Sequence, residues 1–422
     1  MQQINKTTLD NGIRIITKNM PYVRSIVMGV WVDVGSRDET TDHSGLSHFI
    51  EHMIFKGTQK RTAFEIAKEF DAIGGQTNAF TSMEHTCYHA KVMDSQMDTM
   101  VNILCDIFLN SVFDPMEMEK ERPVILQEIG MTEDNPEEHI HVLSGKNFWG
   151  DHPLGQSILG TRENIMGFDA DTLKRFFHRF YQPDQIVISV AGNMEHNRVV
   201  DLMGPYFESI HAGNGLPDRH KPKGIHEVNV HQRTLEQAHI CLMTEGLAID
   251  DPDRFAQSLL NTIVGGNMSS HLFQNIREQR GLAYSIYSFI CSHADAGMFG
   301  VYTGVESKHI AETLRLILKD LRRMAGIPVS PTELRDAKEF TKGNLYMAAE
   351  SPDNQMFRMA QNELRFNRHI PMAEIVDKVE KVAADDILRV GQRLFSANEF
   401  SLTVLGNSEA AALYKGIIHD ND

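Results

Sequence analysis

Basic residues and long apolar runs are both scarce in this chain of 422 residues. Lysine and arginine total 41 against 57 aspartates and glutamates, which gives a formal net charge of -16. A nucleic-acid partner is not expected, because binding to phosphates requires a basic surface. No apolar run approaches the roughly 18 residues of a membrane span, and the N-terminus lacks the pattern of a signal peptide. We therefore expect a cytoplasmic protein with no nucleic acid or membrane partner.

Cysteine is also rare. The four cysteines do not form a Cys-x-x-Cys pair, and they are too widely spaced for a disulfide framework: Cys87, Cys105, Cys241 and Cys291. This usage suits a reducing compartment. We expect these residues to be free, buried thiols.

The rest of the composition is typical of a soluble globular protein, with 41% apolar and 23% charged residues. The length predicts about two domains. An offset of 214 residues superimposes residues 171–193 on 385–407 and residues 25–28 on 239–242 without a gap. The segment between the two copies is rich in glycine, proline and charge. These patterns predict homologous domains at 1–212 and 225–422, joined by a linker at 213–224.

Each half mixes short apolar strands with long helical stretches that do not alternate regularly. This grouping favours an α+β fold over a regularly wound parallel sheet. We expect two α/β sandwich domains, each with a mostly antiparallel sheet and with helices packed on one face.

The most informative segment is residues 44–57, which read SGLSHFIEHMIFKG. Its apolar residues follow the spacing of an amphipathic helix, with Ser44 as the expected N-cap and Gly57 as the expected stop. At about 100° per residue, His48, Glu51 and His52 share the face opposite the apolar stripe. The sequence thus predicts a helix with one apolar and one ionisable face.

Two imidazoles one helical turn apart can bind a single ion, and neutral imidazole suits zinc. Glu51 lies between His48 and His52 without having to bind the metal, which is the place of a general base acting on water. The alternative is a solvated helix face that happens to carry two histidines. We favour a catalytic site with one Zn²⁺ per chain.

A catalytic zinc needs a third protein ligand. Glu121 and Glu128 are two helical turns apart, so they share a face unless Pro123 kinks the helix. Spacing alone leaves the choice between the two glutamates open. An exposed acidic helix explains either residue equally well.

The second half does not preserve this set. The 214-residue offset carries His48, Glu51 and His52 onto Thr262, Gly265 and Gly266, and Glu128 onto Lys342. One copy of the repeat thus keeps a complete set of candidate residues and the other keeps none.

The inverted His-x-x-Glu-His motif, followed by Glu128 76 residues after His52, resembles the M16 (pitrilysin-type) metallopeptidases. The resemblance covers nearly the whole chain and is closest to bacterial proteins related to the β subunit of mitochondrial processing peptidase. It implies that His48, His52 and Glu128 bind zinc, that Glu51 is the base and that Glu121 supports the site. The resemblance thereby selects between the two glutamates.

The same resemblance assigns residues to substrate. Residues 74–81 resemble the family's edge strand, which holds peptide as an added β-strand, so Asn78, Ala79 and Phe80 are expected to bind substrate. Arg277 and Tyr284 resemble the family's Arg and Tyr pair. A guanidinium and a phenol are suitable donors to a substrate carbonyl and to an oxyanion.

Long members of the family have four such domains, whereas this chain has two. The resemblance therefore implies a homodimer that encloses a chamber, in which Arg277 and Tyr284 of one chain complete the zinc site of the other. The expected function is zinc-dependent cleavage of short or unfolded peptides. The alternatives are an inactive assembly subunit, like the family's α-type or core members, and a zinc hydrolase with a non-peptide substrate.

Overall fold

A computed structural model describes residues 4–211, 213, 216–408 and 410–420, which form two compact units. Unit 1 is built from the chain ranges Met1–Gly130, Gln156–His220 and Met347–His369. Unit 2 is built from Met131–Gly155, Lys221–Tyr346 and Ile370–Asp422. Each unit contains one β-sheet.

The sheet of unit 1 has the strand order β1-β2-β6-β3-β5-β4. Neighbouring strands are antiparallel except for the parallel pair β2 and β6. The strands are β1 (Ile4–Thr8), β2 (Arg14–Asn19), β3 (Ser25–Val32), β4 (Gln76–Thr81), β5 (Thr86–Met93) and β6 (Ile186–Gly192).

The sheet of unit 2 has the order β7-β11-β8-β10-β9, with one parallel pair, β7 and β11. The strands are β7 (Val228–Gln232), β8 (Ala238–Gly246), β9 (Ala283–Ser292), β10 (Gly297–Val305) and β11 (Ser401–Gly406). Strands β4 and β9 are both edge strands. Each of them is therefore paired with a neighbouring strand on one side only.

The α-helices lie between and after these strands. In chain order they are α1 (Leu46–Ile54), α2 (Ala63–Ala72), α3 (Met97–Asn110), α4 (Pro115–Asp134), α5 (Pro136–Trp149), α6 (Arg162–Gly167), α7 (Ala170–Phe180), α8 (His196–Phe207), α9 (Arg254–Val264), α10 (Ile310–Gly326), α11 (Pro331–Ala348), α12 (Pro352–Phe366), α13 (Met372–Lys381), α14 (Ala384–Phe395) and α15 (Ala411–His419). A π-helical turn, Phe273–Glu278, precedes β9.

Strand alternation divides the apolar residues of β3 between two cores. Ile26, Met28 and Val30 face the main helical layer of unit 1. Val27 and Trp31 point to the opposite face, where they pack in a smaller cluster with residues of α12. Because successive strand residues face opposite sides, a strand buried on both faces reads as the continuous apolar run seen in this sequence.

Helices α5 and α12 depart from the predicted domain bounds. Helix α12 comes from the C-terminal half but belongs to unit 1, and α5 comes from the N-terminal half but belongs to unit 2. The 214-residue offset carries α5 onto residues 350–363, nearly the span of α12, so equivalent helices are exchanged. The contiguous domains predicted at 1–212 and 225–422 therefore differ from the compact units. The reason is that each sheet buries its second face under a helix from the other half.

The predicted fold class is confirmed: both units are mixed helix and sheet, and the sheets are mostly antiparallel. The exchanged helix adds a cover on the second face of each sheet. Of the predicted linker at 213–224, residues 214 and 215 lie outside the described residues. Arg219 in this segment forms ion pairs with Asp33 and Asp38 of unit 1.

Within the described part of the chain, the helices are too short or too polar to cross a bilayer.

Candidate metal centre

Helix α1 forms within the predicted segment and carries the three motif residues, but it ends at Ile54 with Phe55 as C-cap and does not reach the expected stop at Gly57. Its N-cap is Gly45, in the left-handed region with φ 96°, and not Ser44 as the sequence suggested. A side chain at position 45 would place its Cβ 2.8 Å from Gly160 Cα, so only glycine fits this close approach. The hydroxyl of Ser44 instead donates to the carbonyl of Ser157 at 3.4 Å.

A buried carboxylate replaces the missing side-chain cap. Glu39 Oε2 accepts the N–H of Gly45 at 2.8 Å, and Glu39 Oε1 accepts the N–H of Ser47 at 2.6 Å. Burial raises the pKa of Glu39 to about 8, and the two amides oppose that rise. In either protonation state both oxygens remain acceptors.

The motif histidines meet a glutamate from α4. His48 Nε2 lies 3.3 Å from His52 Nε2, and Glu128 Oε2 lies 3.5 Å from each of these nitrogens. Among the described residues, these three side chains form a cluster that could hold a metal ion. Helix α4 is continuous through Pro123, so Glu128 keeps the helical position that the sequence implies.

Glu121 occupies the other side of the same imidazole. Its Oε1 lies 2.8 Å from His52 Nδ1, and its Oε2 lies 2.5 Å from Lys56 Nζ. The two glutamates, seven residues apart on α4, thus contact the two nitrogens of one histidine. Glu128 therefore lies on the Nε2 side of His52, together with His48, and Glu121 lies on the Nδ1 side.

The three donor atoms fit zinc. Ligand atoms that surround one zinc tetrahedrally at about 2.0–2.2 Å are about 3.3–3.6 Å apart, and the three observed separations lie between 3.3 and 3.5 Å. Two histidines and one glutamate also form a known catalytic zinc set, which leaves a fourth position open. The residues present therefore suit a catalytic zinc.

The two histidines differ electrostatically. Burial and the nearby His52 lower the pKa of His48 to about 3, which keeps it in the neutral form that binds metal. At His52 burial acts in the same direction, but the hydrogen bond to Glu121 and the charges of Glu128 and Glu51 outweigh it and raise the pKa. Acidic surroundings that favour a proton on His52 also favour a metal cation.

Glu51 lies beside this cluster and is held by β4. Thr81 at the end of β4 donates a hydrogen bond of 2.5 Å to Glu51 Oε2. Burial raises the pKa of Glu51, although the Thr81 hydrogen bond and the nearby His52 oppose the rise. A carboxyl group with a raised pKa is better suited to accept and return a proton near neutral pH.

The predicted substrate strand is β4, an edge strand that pairs with β5. Asn78 is exposed, and Ala79 and Phe80 are partly buried. The N–H of Ala79 donates to Asn78 Oδ1 at 2.9 Å, so a side chain already occupies one main-chain donor. The side chain of Phe80 packs in an aromatic cluster with Trp31 and Phe357.

Arg277 and Tyr284 are brought together in unit 2. The Arg277 guanidinium carbon lies 4.8 Å from the centroid of the Tyr284 ring. Tyr284 is on the edge strand β9 and is 78% exposed. Its side chain therefore lies at the surface of the chain.

Three contacts around the centre were not anticipated from the sequence: those of Glu39, Lys56 and Thr81. Lys56 lies four residues after His52 but beyond the end of α1 at Ile54, so helical spacing does not place it on the face of the histidines. Thr81 ends the segment recognised as the edge strand, but nothing in the sequence pairs it with Glu51. Glu39 lies outside helix α1 and has no periodic relation to it.

Comparisons with known proteins give family matches along most of the chain. Residues 14–162 match the family model "Insulinase (Peptidase family M16)", and residues 167–340 match "Peptidase M16 inactive domain". An uncharacterized zinc protease of Bacillus subtilis is 39% identical over 405 residues, covering 96% of this chain and 98% of the relative. An uncharacterized zinc protease of Streptomyces coelicolor is 36% identical, covering 98% and 92%.

Solved structures show the same fold. A protease from Helicobacter pylori has a TM-score of 0.89 and 22% identity, covering 96% of this chain and 100% of that chain. A peptidase M16 inactive domain from Pseudomonas fluorescens has a TM-score of 0.89 and 17% identity, covering 97% and 98%. With a complete His-x-x-Glu-His centre and these full-length relatives, the chain belongs to peptidase family M16.

Proposed function

We propose that this protein is a zinc-dependent endopeptidase that cleaves short or unfolded peptides, with one zinc per chain. The observation that carries the proposal is the arrangement of four side chains within unit 1. His48, His52 and Glu128 present three donors at zinc spacing, and Glu51 lies beside them at the end of an edge strand.

The roles of the protein groups follow from their positions. A bound zinc would supply a Lewis acid and an activated water at neutral pH. Glu51 takes a proton from that water and later delivers it to the leaving amine, a dual role that its raised pKa supports. Glu121 fixes the imidazole of His52 through Nδ1 and so orients the opposite nitrogen.

Peptide binds along β4 as an additional strand. The open edge offers main-chain groups, so affinity comes from the backbone and side-chain preference is loose. Asn78 rotates away from the N–H of Ala79 to expose that donor. Arg277 and Tyr284 donate to the substrate carbonyl and to the developing oxyanion.

A homodimer completes the proposal. Two chains enclose the substrate in a chamber, and Arg277 and Tyr284 of one chain act at the zinc of the other. The support is that one chain carries both residue sets but has two sandwich units. The processing-peptidase-like specificity and the cytoplasmic location remain predictions.

The test combines metal analysis with peptide cleavage. We expect the purified protein to contain one zinc per chain and to cleave a quenched peptide, with activity lost on chelation and restored by zinc. Glu51→Gln should keep zinc but lose hydrolysis, because the substitution removes the base and spares the ligands. Hydrolysis by Glu51→Gln would place the base elsewhere, and zinc-loaded wild type without any peptidase activity would favour a non-catalytic assembly subunit.

A further inference from the structure

Helix α1 begins without a side-chain cap of its own, although its first turn is fully buried. Ser44, Leu46 and Ser47 are each at most 2% exposed. Water therefore has little access to the N–H groups of this turn, and protein groups must satisfy them. The first intrahelical bond, from Phe49 N–H to the Gly45 carbonyl, is 3.0 Å long.

Glu39 satisfies two of these donors at once. One carboxyl oxygen accepts from Gly45 and the other from Ser47, at 2.8 and 2.6 Å. Glu39 is itself 3% exposed, so these bonds face little competition from water. When it is ionised, this carboxyl group also interacts favourably with the helix dipole.

His48 directly follows Ser47, the second of the two residues whose N–H groups donate to Glu39. It is the third residue of α1, so its position depends on whether the first turn is formed. His52, one turn later, has an independent anchor in Glu121. By contrast, His48 Nδ1 is buried and has no hydrogen-bond partner among the described residues. The backbone of the first turn is therefore the anchor that the structure shows for His48.

The loop that carries Glu39 is itself fixed. Glu39 directly follows a short 3-10 turn, Ser36–Asp38. Asp38 is held by Arg219 at 2.8 Å and accepts the N–H of Gly35 at 2.9 Å. On the other side of α1, Asn164 donates to the Ser44 carbonyl at 3.2 Å.

We infer that Glu39 is a positioning residue of the metal centre, which holds the first turn of α1 so that His48 Nε2 stays at ligand distance from His52 and Glu128. This inference rests on the proposed zinc site. Glu39 does not touch the metal position; it acts through the backbone of Gly45 and Ser47.

The test is the zinc affinity of Glu39→Gln. Glutamine has nearly the same shape, but its amide nitrogen cannot accept a hydrogen bond, so one buried N–H loses its partner. We expect the zinc Kd, measured by competition with a chromophoric chelator, to rise about tenfold or more, as for other residues that orient a ligand. The visible spectrum of the Co²⁺-loaded protein should also change, because the ligand geometry is altered.

A matched control is Glu65→Gln. Glu65 also accepts a backbone N–H at a helix start, that of Thr62 in the capping box of α2, but α2 carries no ligand. Its zinc Kd should equal that of the wild type even where Tm falls. An unchanged Kd and Co²⁺ spectrum in Glu39→Gln would overturn the inference and leave Glu39 as a residue that only supports the fold.

A second variant covers the case in which Glu39→Gln does not fold. Glu39→Asp keeps the acid but is one methylene shorter, so it cannot reach both amides, and a smaller rise in zinc Kd is expected. Wild-type affinity in this variant would also overturn the inference. Peptidase activity is scored separately: a zinc-binding wild type without hydrolysis refutes the proposed function and leaves the role of Glu39 standing.

Discussion

At the scale of single residues, the two histidines of the candidate zinc site are supported differently. Nδ1 of His52 is hydrogen-bonded to Glu121, which in turn forms an ion pair with Lys56. This chain of contacts fixes the proton of His52 on Nδ1 and leaves Nε2 free for a metal. The desolvation of Glu121 is offset by these same two partners, which lower its pKa.

Removing this support should weaken metal binding without removing a ligand. We expect Glu121→Ala to raise the zinc Kd by about 10- to 100-fold, because His52 loses the partner that orients it. The measurement is competition with a chromophoric chelator. Glu117→Ala, one turn earlier on α4 and paired with Lys120 away from the centre, serves as control. Equal affinities in the two variants would contradict the role assigned to Glu121.

A second histidine, in unit 2, predicts a pH dependence of stability. His271 Nε2 lies 2.7 Å from Glu333, and its Nδ1 lies 3.4 Å from Asp320. The hydrogen bond to Asp320 raises the pKa of His271, Glu333 adds to the rise, and burial opposes it. A raised pKa in the folded state means that the stabilisation is complete below the unfolded value of about 6.5 and is lost as pH rises through the folded value.

The expected result is a Tm difference that depends on pH. His271→Asn should lower Tm more at about pH 6 than at about pH 9, since the charged histidine contributes only at the lower pH. Differential scanning calorimetry at the two pH values measures this. A larger loss for His271→Asn at the higher pH would show that the sign is wrong.

At this scale the sequence predicted much of the site. The spacing of His48, Glu51 and His52 determines their common face on any helix, so the motif was sufficient. The glutamate of the candidate cluster could not be chosen from spacing, because Glu121 and Glu128 share a face of α4 and both contact His52. Glu39 could not be found, since it acts from outside the helix through backbone groups.

At the scale of elements, the exchanged helix α12 covers the second face of the sheet in unit 1. Met356 of α12 is fully buried, and its sulfur lies 3.2 Å from the indole nitrogen of Trp31 on β3. Phe357 packs edge-on against the same indole, with ring centroids 5.4 Å apart. Residues separated by 325 positions thus share one core.

Truncation in this cluster should destabilise unit 1, although the changed residue lies in the C-terminal half. We expect Met356→Ala to lower the free energy of unfolding by about 2–5 kcal/mol, the usual cost of a large cavity in a core. Met347→Ala is the matched control, because Met347 is 65% exposed and its change should stay within about 0.5 kcal/mol. Urea unfolding followed by Trp fluorescence makes the comparison. Similar losses in both variants would argue against a packed second face.

Element prediction succeeded where the signal was local. Helix α1 and the repeated strands β3 and β8 lie where periodicity and the 214-residue offset placed them. The exchange of α5 and α12 has no local signal, because an amphipathic helix reads the same whichever sheet it covers. For that reason the predicted contiguous bounds and the compact units do not coincide at these two helices.

At the scale of the whole molecule, the proposed homodimer can be tested by mixing variants. Arg277→Ala keeps its own Glu51, and Glu51→Gln keeps its own Arg277. If the pair acts across the interface, each heterodimer has one intact site, and co-expression in equal amounts should recover about a quarter of wild-type activity. Peptide cleavage by the co-expressed and separately purified variants is compared. No recovery would count against sharing of sites between chains.

The reciprocal placement of α5 and α12 also bears on how this architecture arose. In a chain with a single copy of the repeat, one face of the sheet would lack its covering helix. The helix equivalent to α5 or α12 would lack a sheet to pack on. Two such chains could each lend that helix to the other, which is the arrangement of a domain-swapped pair. With both copies in one polypeptide, a single chain supplies the two exchanged helices, and only its first copy carries the complete set of candidate zinc ligands.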